Sequence, residues 1–433
     1  MPTTDNAVPS SPLAIPDFRL YWLARFAAVI ATMAMVTILG FQVYDTAREQ
    51  YGMSIREAAL MLGLLGAVQF VPLALLTPVA GWAADRYERR TVARIANSLD
   101  MVLALALGYA TATDQLSLVF LFAVAALHGV ARVFVGPAMS AMAPNIVPPQ
   151  LLPRAIAMSS IAWQSATIAG PAVGGFLYAA GADLPYWVSA ALLLVASLCV
   201  TFIRPVRPPP IEGHPHPVRQ MVEGLAYVRR NRFLFGAITL DLFAVLVGGA
   251  TALLPVFARD ILQVGSEGLG LMRGAPAVGA ALVALWFAFR PLKHNVGVKM
   301  LWSVAAFGFF TAVFGLSTNF LLSLAALALL GAADMLSVYV RSSLVQLQTP
   351  DTMRGRVSAV SGLAISASNE LGELQSGLAA ALLGPVAAVA VGGVAAVVIT
   401  GWWSYLFPEL RRAKTFDPPP EVLDNPAPKE SVT

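Results

Sequence analysis

Eight ionisable side chains, Arg25, Asp100, Arg132, Asp241, Asp334, Arg341, Glu370 and Glu373, stand inside stretches of sequence that are otherwise apolar. A charge costs about 2.5–3.5 kcal/mol to insert at the centre of a bilayer span, so such residues are functional candidates by default. Carboxylates and guanidiniums placed together in an apolar medium can exchange protons. Burial disfavours the charged carboxylate and a nearby arginine favours it, so withdrawing the arginine switches the proton affinity. Glu370 and Glu373, three residues apart, share one face of a helix, as do Asp334 and Arg341, seven apart. Arg132 and Asp334 stand 202 residues apart, and the same offset relates Pro148 to Pro350, Arg154 to Arg356, Gly170 to Gly372 and Gly175 to Gly377.

Other chemistries find little support. The sequence has no GxxxxGK[ST] stretch to cradle a nucleotide phosphate, and no Ser/His/Asp or Cys/His set stands out, so nucleotide hydrolysis and an enzyme are not expected. The single cysteine, Cys199, excludes an internal disulfide or a cysteine-based metal site, and the four histidines lack ligand spacing. Neither a metal nor a cofactor is expected. His128, one turn from Arg132, is expected to be a neutral polar contact.

These side chains need apolar helices to hold them. Of 433 residues 58% are hydrophobic and 12% charged, with mean hydropathy +0.71, which describes a polytopic membrane protein. The continuous apolar runs predict helices and not barrel strands, which would alternate. Twelve spans are expected near 19–44, 56–82, 91–111, 116–140, 155–181, 185–203, 233–257, 267–289, 297–316, 320–345, 357–382 and 384–406. Of the 28 Lys and Arg, 21 then fall on one side and only Arg48, Arg56, Arg259 and Arg273 on the other. Both termini are therefore expected in the cytoplasm. The net charge of +4 follows from that asymmetry and implies no nucleic-acid partner.

The expected organisation is a tail (1–18), a six-helix half (19–203), a cytoplasmic linker with an amphipathic helix (204–232), a second six-helix half (233–406) and a tail (407–433). The shared offset makes the halves weak repeats of one orientation around a central cavity, a transporter architecture. The fold class is thus an all-α membrane protein of twelve transmembrane helices in two pseudo-symmetric halves.

The turn between spans two and three, "GWAADRYERR", resembles the loop signature of the major facilitator superfamily in Gly81, Asp85, Arg86, Arg89 and Arg90, with Glu88 where a second Gly is usual. Asp85 could latch the two halves on the cytoplasmic side, or the charges could simply set topology. "RVFVGPA", with Arg132 four residues before Gly136, resembles the superfamily's span-four motif. "IAGPAVGG", with Gly170, Pro171, Gly174 and Gly175, resembles the span-five motif of its proton-antiporting exporters, although small residues also serve plain helix packing. "FRLYW", "RGRVSAV" and "SNELGE" look most like the bacterial enterobactin-exporter branch.

The resemblance implies a cavity lined by spans one, four, seven and ten, and so cationic Arg25 and Arg132 facing acidic Asp241 and Asp334, with Arg341 nearby. Asp241 and Asp334 are then expected to trade protons against an arginine or a cationic substrate group, with Glu370 and Glu373 as alternative proton sites and Asp100 peripheral. Two static ion pairs that hold the halves together are the competing explanation. The expected function is export of a small organic molecule (siderophore, drug-like compound or metabolite) across the bacterial inner membrane by proton antiport and alternating access. Import or lipid movement within the superfamily, or a scaffold or sensor without transport, are the alternatives. Substrate, protons and membrane lipids are the expected partners of a monomer. Trp163, Phe243 and Tyr339 are candidate stacking residues.

Overall fold

Lipid offers a backbone no hydrogen-bond partner, so each apolar run satisfies its own N–H and C=O groups by coiling. The computed structural model describes residues 11–205, 217–290, 292 and 294–416. The outer parts of both tails, the Pro-rich part of the linker and the Asp85 side chain lie outside that set. The first six long helices are α1 (Pro16–Glu49), α2 (Ile55–Arg86), α3 (Arg89–Ala112), α4 (Leu118–Ile146), α5 (Leu152–Ala180) and α6 (Leu184–Phe202). The linker carries α7 (Pro217–Arg230). Next, α8 (Arg232–Val247) breaks at Gly248 and Gly249 and continues as a 3-10 turn (Ala250–Leu253), the single-turn α9 (Leu254–Val256) and a π-turn (Phe257–Ile261). Then follow α10 (Gly265–Phe289), α11 (Val296–Leu316), α12 (Phe320–Leu347), α13 (Asp351–Leu383), α14 (Pro385–Leu406) and the short α15 (Pro408–Arg412). No strand occurs among the described residues.

Local chemistry sets several boundaries. Ser54 opens α2 with a capping box: the Glu57 carboxylate accepts from the Ser54 N–H at 2.8 Å, and the Ser54 hydroxyl accepts from the Glu57 N–H at 3.3 Å. Ser117, Asn231 and Asn319 cap α4, α8 and α12 with a side-chain oxygen that accepts from backbone N–H groups of the first turn. Gly384, at φ +88°, makes the turn from α13 into α14.

Ten spans among the described residues are long and apolar enough to cross a bilayer: α1–α4, α6, α8 with its continuation, α10, α11, α12 and α14. The other two of the expected twelve are α5 and α13, of 29 and 33 residues. Both are long enough, but glycines, serines and charges lower their hydropathy. They sit where the halves meet, α5 against α1 and α10, and α13 against α2 and α8.

The neighbour pattern is repeated. In the first half α1 packs on α5 and α6, α4 on α2 and α3, and α3 on α6; in the second α8 packs on α13 and α14, α12 on α10 and α11, and α11 on α14. Two seams, α2 with α13 and α5 with α10, join the halves symmetrically. Glycines bring these backbones together. A Cβ on Gly63 would stand 2.8 Å from the Cα of Gly377, and one on Gly270 would stand 2.6 Å from the carbonyl oxygen of Pro171. Alternation of the helices puts residue 16, the α2–α3 turn and α7 at one end of the bundle, the termini end. The tips of α1 and of the π-turn lie at the far end.

Candidate functional site

A polar cavity of about 50 Å³ lies between the halves. The first half lines it with Val36, Gly40 and Gln69, and with Arg132 from halfway along α4. The second half lines it with Arg273 from α10 and with Glu370 and Glu373 from α13. Arg132 Nη1 and Glu370 Oε1 meet at 2.8 Å, so the contact crosses from one half to the other. Glu370 is buried, whereas 43% of the Arg132 side chain is exposed although the residue lies mid-span. Glu373 presses on α2, where a Cβ on Gly66 would stand 2.6 Å from its own Cβ. The volume holds a few waters and no organic substrate of siderophore size.

One cation of the first half faces two carboxylates of the second, which also contributes a cation of its own. Arg132 grips Glu370, and among the described residues Asp334 makes no hydrogen bond or ion pair. Asp241 pairs with Arg341, its neighbour within the second half, and both are buried. This pair corrects the expectation that Asp241 faces Arg25. The Arg25 guanidinium donates instead to the Tyr21 hydroxyl at 3.0 Å, which meets Ser159 of α5 at 3.0 Å. Asp241 and Arg341 thus form a pair within one half, not one that holds the halves together. Asp100 and His128 meet at 2.9 Å inside the first half, both buried.

The hydropathy pattern sets Arg273 near a span end and so with the sparse charges of the opposite side. The structure corrects this: it lines the cavity. Its one signal in the sequence was a position six residues inside the expected span 267–289. Of the three aromatics, Phe243 packs on Trp403 at 5.3 Å and Tyr339 stacks on Phe287 at 4.6 Å, both within the second half. Trp163 remains exposed.

The far end carries a cluster that the sequence had presented only as topology charges. Arg48 reaches Asp260 at 3.6 Å while Arg259 pairs with Asp45, so each half offers one arginine and one aspartate to the other. Arg259 also holds Glu49 at 2.7 Å, and the Tyr44 hydroxyl donates to Asp260. The π-turn supplies both Arg259 and Asp260; such widened turns recur at functional sites.

The span-five glycines sit against α1 and α10. A Cβ at Gly170 would strike Met33 at 2.6 Å, one at Gly174 would strike Ala34 at 2.9 Å, and one at Gly175 would strike the Ser266 carbonyl oxygen at 2.3 Å. Pro171 is buried at the same seam. In the α2–α3 turn, Arg89 donates to the Ala141 carbonyl at 2.8 Å and Arg90 to the Ile203 carbonyl at 2.7 Å, which ties the turn to α4 and to the end of α6. Arg86 also has a partner, and a Cβ at Gly81 would meet nothing within 4 Å.

Two joined six-helix bundles, with a charged cavity between them, define the class as a helical membrane transporter. The model of the Major Facilitator Superfamily matches residues 24–373, and the chain belongs to that family. Curated relatives include the enterobactin exporter EntS of Escherichia coli O127:H6, 26% identical over 373 residues covering 85% of each chain. EntS of Citrobacter koseri is 27% identical over 411 residues, covering 94% of this chain and 95% of that one. Among solved structures, a bacterial homologue of the human lysosomal transporter Spinster, inward-facing and occupied, has a TM-score of 0.68 at 15% identity, over 91% of this chain and 96% of that one. A POT family transporter in complex with 5-aminolevulinic acid has a TM-score of 0.71 at 11% identity, over 93% and 100%. The protein is a transporter and not an enzyme.

Proposed function

We propose that this transporter exports a small organic molecule from the bacterial cytoplasm in exchange for protons, by rocking its two halves about the cavity. The observation that carries this is the Arg132–Glu370 contact, whose partners belong to different halves. Any motion that separates the halves takes the guanidinium from the carboxylate. A carboxylate left in an apolar cavity without its counter-ion binds a proton, and the returning arginine expels it. Glu370 and Glu373 are the proton carriers in this scheme. Asp334 is a secondary candidate.

The termini end is taken as cytoplasmic, from the bias of Lys and Arg. The conformation is then inward-facing: the far-end clasp and the glycine seams close the outside, while Arg132 is reached from within. Gly170, Pro171, Gly174 and Gly175 form part of the outer seal. Arg25 remains a candidate cavity charge and Trp163 a candidate stacking residue, and Gly81, Asp85, Arg86, Arg89 and Arg90 are the candidate inner latch. The EntS relatives make a catecholate siderophore the first substrate to try.

Everted vesicles with an acidic interior test the scheme. They should accumulate enterobactin, lose that accumulation when the gradient is dissipated, and lose it in Glu370→Gln. Accumulation under the opposite gradient would instead make the protein an importer.

A further inference from the structure

The cavity's charges divide unevenly between the moving parts. Its lining holds four charged groups, Arg132, Arg273, Glu370 and Glu373, and one neutral amide, Gln69. With the halves together, two guanidiniums balance two carboxylates. Only Arg132 and Gln69 belong to the first half, on α4 and α2. Arg273 belongs to the second half, as both glutamates do.

Separating the halves at this cavity therefore removes one positive charge, not two. Glu370 loses the guanidinium that it meets at 2.8 Å, and in the same movement Glu373 loses the α2 backbone packed on it at Gly66. What remains is a pair of carboxylates three residues apart on α13, with Arg273 beside them. Two like charges on one helical face in an apolar cavity do not both stay ionised, and one guanidinium compensates one of them.

We propose that Glu370 and Glu373 form a single site that takes up one exchangeable proton per opening, and that Arg273 is the positioning residue that compensates one of the two carboxylates, so that both glutamates are needed for the proton to be taken up. The proposal rests on the proton-exchange reading of the same cavity and adds its stoichiometry. The step balances: a proton from water on the open side adds to a carboxylate oxygen of the pair, forming one O–H bond, and leaves to water when Arg132 returns.

The test needs no substrate, so it stands apart from the question of what is exported. In a Cys199→Ser background, spin labels at Gln115→Cys and Thr318→Cys sit on exposed far-end loops of the two halves. The distance between them reports opening in detergent and in liposomes. By linkage, the logarithm of the open-to-closed ratio rises as pH falls, and the size of its slope per pH unit equals the number of protons taken up on opening.

A slope of about one is expected for the wild-type sites, and about zero for Glu370→Gln or Glu373→Gln, because Arg273 then balances the remaining carboxylate. Arg273→Gln should leave the slope at about one, because Arg132 alone then keeps only one carboxylate of the pair ionised with the halves together, and Arg273→Gln with Glu373→Gln should restore about one where Glu373→Gln alone gives zero. Arg273→Gln with Glu370→Gln, also expected at about one, keeps the test informative if the first double variant folds poorly. A wild-type slope near two, a single glutamine variant that keeps the full slope, or a double variant that stays at zero or two would overturn the one-proton site. A wild-type slope of one together with no proton-driven enterobactin uptake would leave the proton site standing and defeat the export assignment.

Discussion

Two ion pairs of the same chemistry lie in the membrane-embedded part of this protein, and they differ in who owns the partners. Arg132–Glu370 joins α4 of one half to α13 of the other. Arg341–Asp241 joins α12 to α8 within one half, buried on both sides. A rocking motion stretches the first and carries the second along unchanged. What makes a buried charge a candidate for coupling is the boundary it spans, not its burial. The far-end clasp spans the same boundary, but its side chains are about a quarter exposed and weakened by solvent.

Three substitutions sharpen that contrast. The largest effect is expected at the pair within one half. Asp241→Asn leaves a buried guanidinium uncompensated and should destabilise the fold by roughly 3–5 kcal/mol, seen as lost monodisperse protein and a lower melting temperature. Asp241→Leu combined with Arg341→Leu should regain most of that stability and still transport. If the rescued double variant folds yet shows no proton dependence, the Asp241 pair is also part of the coupling and the distinction breaks.

Glu370→Gln should behave in the opposite way. Its amount and melting temperature should stay near wild type, while the acceleration of uptake by an acidic interior falls roughly 5–150-fold, the range of an ordinary coupling energy. Unfolding of this variant would make Arg132–Glu370 a structural pair like the other.

The smallest effect is expected at the clasp. Asp45→Asn removes one of two reciprocal exposed pairs, worth about 0.2–1 kcal/mol, and should raise labelling of Val36→Cys by an impermeant maleimide from outside by a few fold at most. High salt should produce a similar increase in the unmodified clasp. Labelling that responds to neither would show that the glycine seams alone hold the outside shut.

Glu370 and Glu373 were legible as a pair because helical spacing fixes which residues share a face, whatever the helix packs against. Asp241 was legible as a membrane-buried acid, but its partner was not. Arg25 stood at a nearly equivalent repeat position, whereas Arg341, three spans nearer the C-terminus than Asp241, was the one that packing delivered. Arg273 was misjudged because apolar length locates a span only to within a turn or two, and one turn decides whether a charge meets water or the cavity. The charges at Arg48 and Arg259 counted correctly as residues of the sparsely basic side, yet nothing in their own neighbourhoods showed that they exchange aspartates across the interface.

The sequence by itself determined what each stretch must do in lipid: which runs coil, that the chain is a repeat of two helical halves, and which side chains are too costly to be there by accident. Hydropathy and helical periodicity are properties of neighbours along the chain, so they survive without the fold. Only the tertiary structure decided which charges meet. Pairing across 238 residues, as between Arg132 and Glu370, depends on how α2 seats on α13 and α5 on α10, through glycines whose backbones approach to contact. That seating also decided which pairs a relative motion of the halves would break.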